Sequence, residues 1–177
     1  MAAPVPVMVV TGPVGVGKTT VAVAISELLD RVDMAHAMVD VDHLRWCYPA
    51  PAHDRFQTEL GLRNLAAVWT NYRDEGAERL ILADVVEESA DIAGYREAIP
   101  GAAVLVVRLR ASLPTIERRL AGRETGAGLE WHQQRAAELT ALMERNQVED
   151  LLIDTEEKSA FADAQEVVTR AHWLRAP

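Results

Sequence analysis

The sequence is poor in cysteine, in aromatic residues and in positive charge. Its 177 residues include one cysteine, Cys47, so no disulfide can form within the chain. We therefore expect a reducing compartment such as the cytoplasm, and a thiol that is buried and unreactive. Lysine and arginine number 18 against 27 aspartates and glutamates, which gives a net charge of −9. This balance argues against nucleic acid as a partner, because binding to a phosphate backbone requires a basic face.

Long apolar runs are also absent, so we expect no membrane partner. The opening residues MAAPVPVMVV lack the basic start of a secretory signal, and we interpret them as a strand. The hydrophobic fraction of 49% and the charged fraction of 25% are typical of a globular protein. The length predicts a single domain over residues 1–177, and the sequence leaves open whether it is a monomer or a homodimer.

Short apolar runs alternate with longer amphipathic ones along the chain. Strands are predicted over Val5–Val10, Ala37–Val41, Arg79–Val86, Ala102–Leu109 and Leu151–Asp154. Helices are predicted over Lys18–Asp30, Asp54–Glu75 with a break or bend near Gly61, Glu88–Ala98, Ser112–Ala121, Glu130–Gln147 and Ser159–Leu174, with a glycine-bearing loop at residues 121–128. This alternation predicts an α/β fold with a five-stranded parallel sheet and helices on both faces. Ligands of such sheets bind beyond the carboxyl ends of the strands.

The segment GPVGVGKT, Gly12–Thr19, matches the phosphate-binding pattern G-x-x-x-x-G-K-[ST] at every position. Glycines let the backbone bend around a phosphate, and the following helix adds its positive end. We predict that Lys18 contacts the β- and γ-phosphates of ATP and that Thr19 binds Mg²⁺. The full set predicted to bind the nucleotide here is Gly12, Pro13, Val14, Gly15, Val16, Gly17, Lys18, Thr19 and Thr20. The alternative is a glycine-rich turn that only caps a helix.

With this motif and this order of elements, the chain resembles the small P-loop kinases. That group includes adenylylsulfate, shikimate and gluconate kinases and chloramphenicol phosphotransferase. The resemblance implies a three-layer P-loop NTPase sandwich with an arginine-bearing lid, and transfer of the γ-phosphate of ATP to a hydroxyl of a small molecule. It places the acceptor region at about residues 42–75 and the lid at about residues 118–135.

The second predicted strand ends in VDVDHLRW. The six residues from Asp40 resemble the D-G-D-N-[VI]-R segment of adenylylsulfate kinases, in which the second aspartate and the arginine face the acceptor. The resemblance implies that Asp42 orients or deprotonates the acceptor hydroxyl and that Arg45 binds an anionic group. Val41 and His43 depart from the pattern, so an antibiotic, a sugar acid or a nucleoside remains an alternative to an adenylylsulfate-like acceptor. Asp42 is alternatively a cap of the turn after the strand.

Two further features bear on metal and acceptor binding. Asp84 ends the run LILAD, which has the form of a carboxylate that holds Mg²⁺ directly or through water. The alternative is a purely structural aspartate. Trp46 and Tyr48 lie in the loop WCYPAPAH, and we predict that they form an aromatic wall for the acceptor.

The segment RRLAGRE resembles the R-L-x-x-R start of the lid in gluconate and adenylylsulfate kinases. The resemblance implies that Arg119 binds the nucleotide and that Arg123 is catalytic, because arginine neutralises the charge that develops in phosphoryl transfer. Arg118 is a candidate to stack on the adenine, and Arg135 follows on the next helix. The alternative is a solvated helix with acidic surface partners.

Two other functions stay open on the sequence alone. One is a nucleotide-dependent switch or ATPase without an acceptor, and the other is a non-catalytic ATP-binding module. No N-K-x-D motif is present, which argues against a GTPase switch.

Overall fold

Five parallel strands form the central sheet of the computed structural model, which describes residues 3–54 and 56–174. The strands are β1 Val5–Thr11, β2 Ala37–Asp40, β3 Leu80–Ala83, β4 Ala102–Arg110 and β5 Leu151–Asp154. They lie in the order β2-β3-β1-β4-β5, and every neighbouring pair is parallel. In the centre, Val9 of β1 pairs with Leu82 of β3 and with Val106 of β4. The predicted α/β sheet is confirmed.

Helices cover the sheet on both faces. They are α1 Lys18–Asp30, α2 Thr58–Asp74, α3 Ser89–Ala98, α4 Leu113–Ala121, α5 Gly126–Asn146 and α6 Ala160–Arg170. Met8 and Val10 of β1 belong to a core that includes side chains of α1 and α6, whereas Val7 and Val9 belong to a core on the other face with α2 and α3. Because both faces are covered, β1 is an almost continuous run of buried apolar residues. None of the helices in the described residues is both long and apolar enough to span a bilayer.

Several predicted helix boundaries are wrong by a few residues. Helix α2 begins at Thr58, because the Asp54 carboxylate accepts hydrogen bonds from the first backbone N–H groups of the helix. It continues without a break through Gly61, so the predicted break in the helix is wrong. Helix α5 begins at Gly126, which reduces the predicted glycine-bearing loop to residues 122–125. Helix α6 ends at Arg170.

Candidate active site

The loop between β1 and α1 has a path that requires glycine. Gly12, Gly15 and Gly17 have φ angles of 145°, 82° and 110°, a region that residues with a Cβ rarely adopt. A Cβ at Gly12 would lie 2.7 Å from the carbonyl oxygen of Leu109, and one at Gly15 would lie 2.7 Å from Cγ of Leu120. Helix α1 starts without a side-chain cap, so its first N–H groups are available to an anion. The loop therefore has the shape and polarity of a phosphate cradle.

Lys18 supplies the positive charge of this cradle. Its Nζ lies 3.2 Å from the carbonyl oxygen of Gly12 and 3.4 Å from that of Pro13, inside the curve of the loop. Burial lowers the pKa of Lys18, and the charges of nearby carboxylates oppose this shift: Asp42, Asp84 and Asp40. A partly buried ammonium group held against this loop is suited to the terminal phosphates of a nucleoside triphosphate.

Asp40 connects the phosphate loop to the end of β2. The Thr19 hydroxyl donates to its Oδ2 at 2.7 Å, and the backbone N–H of Asp42 donates to its Oδ1 at 3.1 Å. Asp40 therefore caps the short 3₁₀ helix Val41–Leu44, and the alternative in which Asp42 is the cap is wrong. The Asp42 carboxylate lines a cavity beside Lys18 instead. Asp40 is not among the predicted site residues, although the D-x-D spacing at a strand end is a signal for it.

Asp84 follows β3 and is 1% exposed. Its carboxylate accepts from Nη2 of Arg45 at 2.8 Å to each oxygen, from the Tyr95 hydroxyl at 2.7 Å and from the backbone N–H of Val85 at 2.7 Å. Burial raises the pKa of Asp84 to about 6, against the opposing effect of the Arg45 charge and of these hydrogen bonds. Asp84, which was predicted to support the metal, is thus paired with Arg45, which was predicted to bind the acceptor. Tyr95 gave no signal in the sequence.

A cavity of about 460 Å³ opens beside Lys18. Lys18, Asp42, Arg45 and Asp84 form a polar part of its lining. The apolar part comes from the phosphate loop, the segment before α2, and α2, α3 and α5: Val14, Phe56, Leu62, Ala90, Gly94, Trp131 and Leu139. The cavity therefore combines charged groups next to the phosphate loop with a mainly apolar wall.

Arg135 also lines this cavity, away from the other lid arginines. It forms an ion pair with Glu87, and its guanidinium carbon lies 5.5 Å from the centre of the Phe56 ring. Its charge is therefore already neutralised within the protein.

The structure does not bring Trp46 and Tyr48 to this cavity. Their side chains are 80% and 96% exposed, and the Trp46 ring contacts the His43 ring edge to face. Phe56 and Trp131 are the aromatic residues that line the cavity. Cys47 is exposed because its loop runs over the surface, so the prediction of a buried thiol is wrong.

A second cavity of about 330 Å³ lies on the flank of the phosphate loop formed by Gly15–Gly17. Arg119 and Arg123 both line it. Arg119 donates to the carbonyl oxygens of Val16 and Thr155, at 2.8 Å each, and so joins α4 to the phosphate loop and to the loop after β5. The remaining lining residues come from α1 and from the β5–α6 region: Thr20, Val21, Lys158, Ala160 and Asp163.

Arg118 lies apart from this group. Its Nη2 donates to the Thr115 hydroxyl at 2.9 Å, within α4. The structure thus brings two of the four arginines of the predicted lid, Arg119 and Arg123, to one cavity.

Oxygen ligands for Mg²⁺ are available next to the phosphate loop. Within the described residues, no group of three or more His, Cys, Asp or Glu side chains forms a ready-made metal site. Mg²⁺ in phosphoryl-transfer sites takes most of its ligands from phosphates and water and only one or two from protein. The Thr19 hydroxyl and the Asp40 carboxylate, 2.7 Å apart, fit this need, whereas the Asp84 carboxylate is occupied by Arg45.

Comparison with known proteins gives both a family and a fold. A family model described as AAA domain matches residues 8–152. The APS kinase of Mycobacterium tuberculosis, in complex with AMPPNP and APS, is 24% identical and has a TM-score of 0.66, and the match covers 97% of this chain and 99% of that chain. The tunicamycin resistance protein of Deinococcus radiodurans is 20% identical with a TM-score of 0.66, covering 98% and 99%.

The shikimate kinase of Acinetobacter baumannii, in complex with shikimate, is also similar. It is 20% identical with a TM-score of 0.59, and the match covers 99% of this chain and 97% of that chain. No curated protein matches the sequence significantly. These solved structures confirm the α/β P-loop fold over nearly the whole chain.

Proposed function

We propose that this chain, which belongs to the AAA domain family, is an ATP- and Mg²⁺-dependent phosphotransferase that moves the γ-phosphate to a hydroxyl of a small molecule. The supporting observation is a cavity that Lys18 and Asp42 line together. An ATPase or a switch needs a site for the nucleotide alone. Here the cavity that Lys18 and Asp42 line is separate from the cavity at Gly15–Gly17, so the phosphate loop is bordered by room for an acceptor as well as for the nucleotide.

The nucleotide is held along the phosphate loop. Its β- and γ-phosphates bind the loop N–H groups and the Lys18 ammonium, and its base enters the cavity lined by Arg119 and Arg123. Thr19 and Asp40 supply oxygens to Mg²⁺, which when bound neutralises charge on the phosphates. Arg123 is exposed at this cavity and is the arginine that closes over the transferred group.

Transfer begins with attack of the acceptor hydroxyl oxygen on the γ-phosphorus. A new oxygen–phosphorus bond forms while the bond to the β–γ bridging oxygen breaks, and ADP leaves with that electron pair. The hydroxyl proton passes to the Asp42 carboxylate. Nη1 of Arg45 lies 3.7 Å from Oδ1 of Asp42 and helps to orient it, while Lys18 neutralises charge on the phosphoryl group.

The charges of the cavity favour an acceptor with an apolar portion. An adenylylsulfate-like nucleotide or a sugar acid would need a free cation for its anionic group. Arg45 is bound to Asp84, Arg135 is bound to Glu87, and Lys18 serves the phosphates. The half-exposed rings of Phe56 and Trp131 instead offer apolar surface. An antibiotic-like or nucleoside-like alcohol therefore fits the described lining better than an anionic acceptor does.

The test is a thermal-shift screen of hydroxyl compounds with Mg²⁺ and a non-hydrolysable ATP analogue. The panel contains APS, shikimate and gluconate as anionic members, and tunicamycin, chloramphenicol and nucleosides as less charged members. A true acceptor raises the unfolding temperature by mass action. Hits are then incubated with ATP, and the phosphorylated product is identified by mass spectrometry.

Lys18→Ala serves as the control for a contaminating kinase, because it removes the phosphate-binding ammonium. Product formation by this variant would assign the activity to a contaminant. ATP hydrolysis at an unchanged rate with and without every compound, and with no phosphorylated product, would favour the ATPase alternative. We also propose a cytoplasmic location, because ATP and an exposed free thiol at Cys47 are both compatible with a reducing compartment.

A further inference from the structure

Asp163 of α6 is a buried carboxylate at the second cavity. The residue is 2% exposed and lines the cavity on the flank of the phosphate loop. Its Oδ1 has no hydrogen-bond partner in the part of the chain that the structure describes. Asp163 is thus the acidic residue in the lining of a cavity that also carries Arg119, Arg123 and Lys158.

Two of the nearby cations are bound to other groups. Lys158 Nζ donates to Glu166 at 2.7 Å, and Arg119 donates to the backbone of Val16 and Thr155. Burial raises the pKa of Asp163, and the charges of Lys158 and Arg119 oppose this shift from a distance. A buried carboxylate oxygen without a partner is unfavourable, and folded proteins retain few such groups. A bound ligand that donates a hydrogen bond removes this penalty.

The position of Asp163 limits the kind of ligand group that can meet it. The phosphates of a nucleotide bind to the phosphate loop at Gly15–Gly17 and would be repelled by a carboxylate, whereas Asp163 belongs to α6. An ionised carboxylate only accepts hydrogen bonds, so its partner must donate. The base is the part of the nucleotide that reaches away from the phosphates. The amino groups of adenine and guanine are donors on the edge of the base.

We infer that Asp163 accepts a hydrogen bond from the exocyclic amino group of the purine of the bound nucleotide, and that it selects amino-purines over purines without this group. The inference rests on the proposed nucleotide site and adds a specificity residue to it. Hydrogen bonds to a charged acceptor are stronger than neutral ones. The preference for an amino-purine is expected to be about 10- to 100-fold in affinity.

The experiment compares three nucleotides on the full chain by calorimetry with Mg²⁺: ATP, GTP and purine riboside triphosphate, which is ATP without its amino group. The wild type is expected to bind ATP or GTP about 10- to 100-fold more tightly than purine riboside triphosphate. Comparison of the affinities for ATP and GTP shows whether Asp163 binds the amino group of adenine or that of guanine. Equal affinity of the wild type for all three would overturn the inference without any variant.

Asp163→Leu is expected to bind all three nucleotides with similar affinity, because methyl groups replace both acceptor oxygens while the branched shape of the side chain is kept. Asp163→Ala is the second variant, because it removes both acceptor oxygens without adding the volume of leucine to the packing of α6. Glu97→Gln is the matched control, because it removes the same charge from an exposed position on α3, over the other face of the sheet. Retained selectivity in both Asp163 variants would also overturn the inference.

Thermal unfolding without nucleotide gives an independent readout. Both Asp163 variants are expected to unfold at a higher temperature than the wild type, because a buried carboxylate without a partner is removed. A lower unfolding temperature in both would show a structural partner for Asp163 and would contradict the inference. Failure of the nucleotide site itself has a different signature, since then none of the three triphosphates binds to the wild type.

Discussion

Nη2 of Arg45 lies 2.8 Å from both carboxylate oxygens of Asp84. The two side chains are 16% and 1% exposed, so the pair is almost completely shielded from water. It joins the chain after β2 to the chain after β3, and these strands are neighbours in the sheet. The ion pair thus connects the two strand ends that carry the acidic residues of the candidate site.

Arg45→Met is expected to lower the free energy of unfolding by roughly 3–5 kcal/mol, because it leaves a buried charge without its partner. The double variant Arg45→Met/Asp84→Leu is expected to recover most of this loss. Urea unfolding measures both. Arg170→Met is the control, because it breaks an exposed pair with Glu166 and is expected to cost about 1 kcal/mol or less. If the double variant lost as much free energy of unfolding as the two single variants together, the result would contradict a buried pair whose members depend on each other.

Asp42→Asn is expected to reduce kcat about 10²- to 10⁴-fold, because an amide cannot take the proton of the acceptor hydroxyl. The KM for ATP is expected to change little, since Asp42 lines the acceptor cavity and not the nucleotide cavity. Steady-state kinetics with an identified acceptor measures both values. An unchanged kcat would remove Asp42 from the reaction and would revive the alternative in which the chain hydrolyses ATP without an acceptor.

Gly61→Ala is expected to destabilise the protein by roughly 1–3 kcal/mol, although alanine favours helix formation. A Cβ at Gly61 would lie 2.8 Å from Cγ and 3.1 Å from Nε of Arg45 and would push that side chain off Asp84. Gly128→Ala in α5 is the matched control, where the nearest atom is Oε2 of Glu124 at 3.9 Å. The control is expected to be neutral or slightly stabilising, and equal stability of the two variants would show that Arg45 does not need the glycine.

Glu156 is expected to give a stability contribution that depends on pH. The backbone N–H of Ser112, with the hydroxyls of Thr115 and Ser112, lowers the pKa of Glu156 to about 2. A depressed pKa means that the stabilisation is complete above the ordinary pKa near 4.5 and is lost as the pH falls toward 2.

Glu156→Gln is therefore expected to unfold at a lower temperature than the wild type at pH 7, and this difference should narrow steadily between pH 4.5 and pH 3. Thermal unfolding monitored by circular dichroism at several pH values measures it. A difference that stays constant over this range would show that the Glu156 carboxyl has the same pKa in the folded and unfolded chain.

The phosphate loop could be predicted because its chemistry is local. Glycine at three fixed positions, then Lys18 and Thr19, determines the loop path and the start of α1 within a few residues. The order of strands and helices followed from apolar periodicity, which is also local. The predicted helix ends were less accurate. For α2 the reason is that the residue that caps it, Asp54, lies four residues before the helix starts, so the cap was taken as the first helical residue.

The walls of the acceptor cavity depend on long-range packing instead. Tyr95 and Trp131 approach Asp84 and Lys18 only after α3 and α5 have packed, and their own sequence neighbourhoods contain no motif. Trp46 and Tyr48 lie close to Asp42 in sequence, but the loop leads them to the surface. Proximity in sequence was therefore a poor guide to which aromatic residues line the cavity.

The contact between Gly15 and Leu120 has a consequence for protein engineering. The space that a Cβ at Gly15 would occupy is filled by Leu120, and the Ile116 side chain lies 3.2 Å from the same point. Smaller residues at positions 116 and 120 would therefore relieve the clash of a Cβ at position 15, but the φ angle of 82° would still strain any residue other than glycine there. Variant libraries for this region should therefore keep glycine at position 15 and vary positions 116 and 120, because a smaller side chain at position 120 removes the steric conflict without removing the backbone requirement.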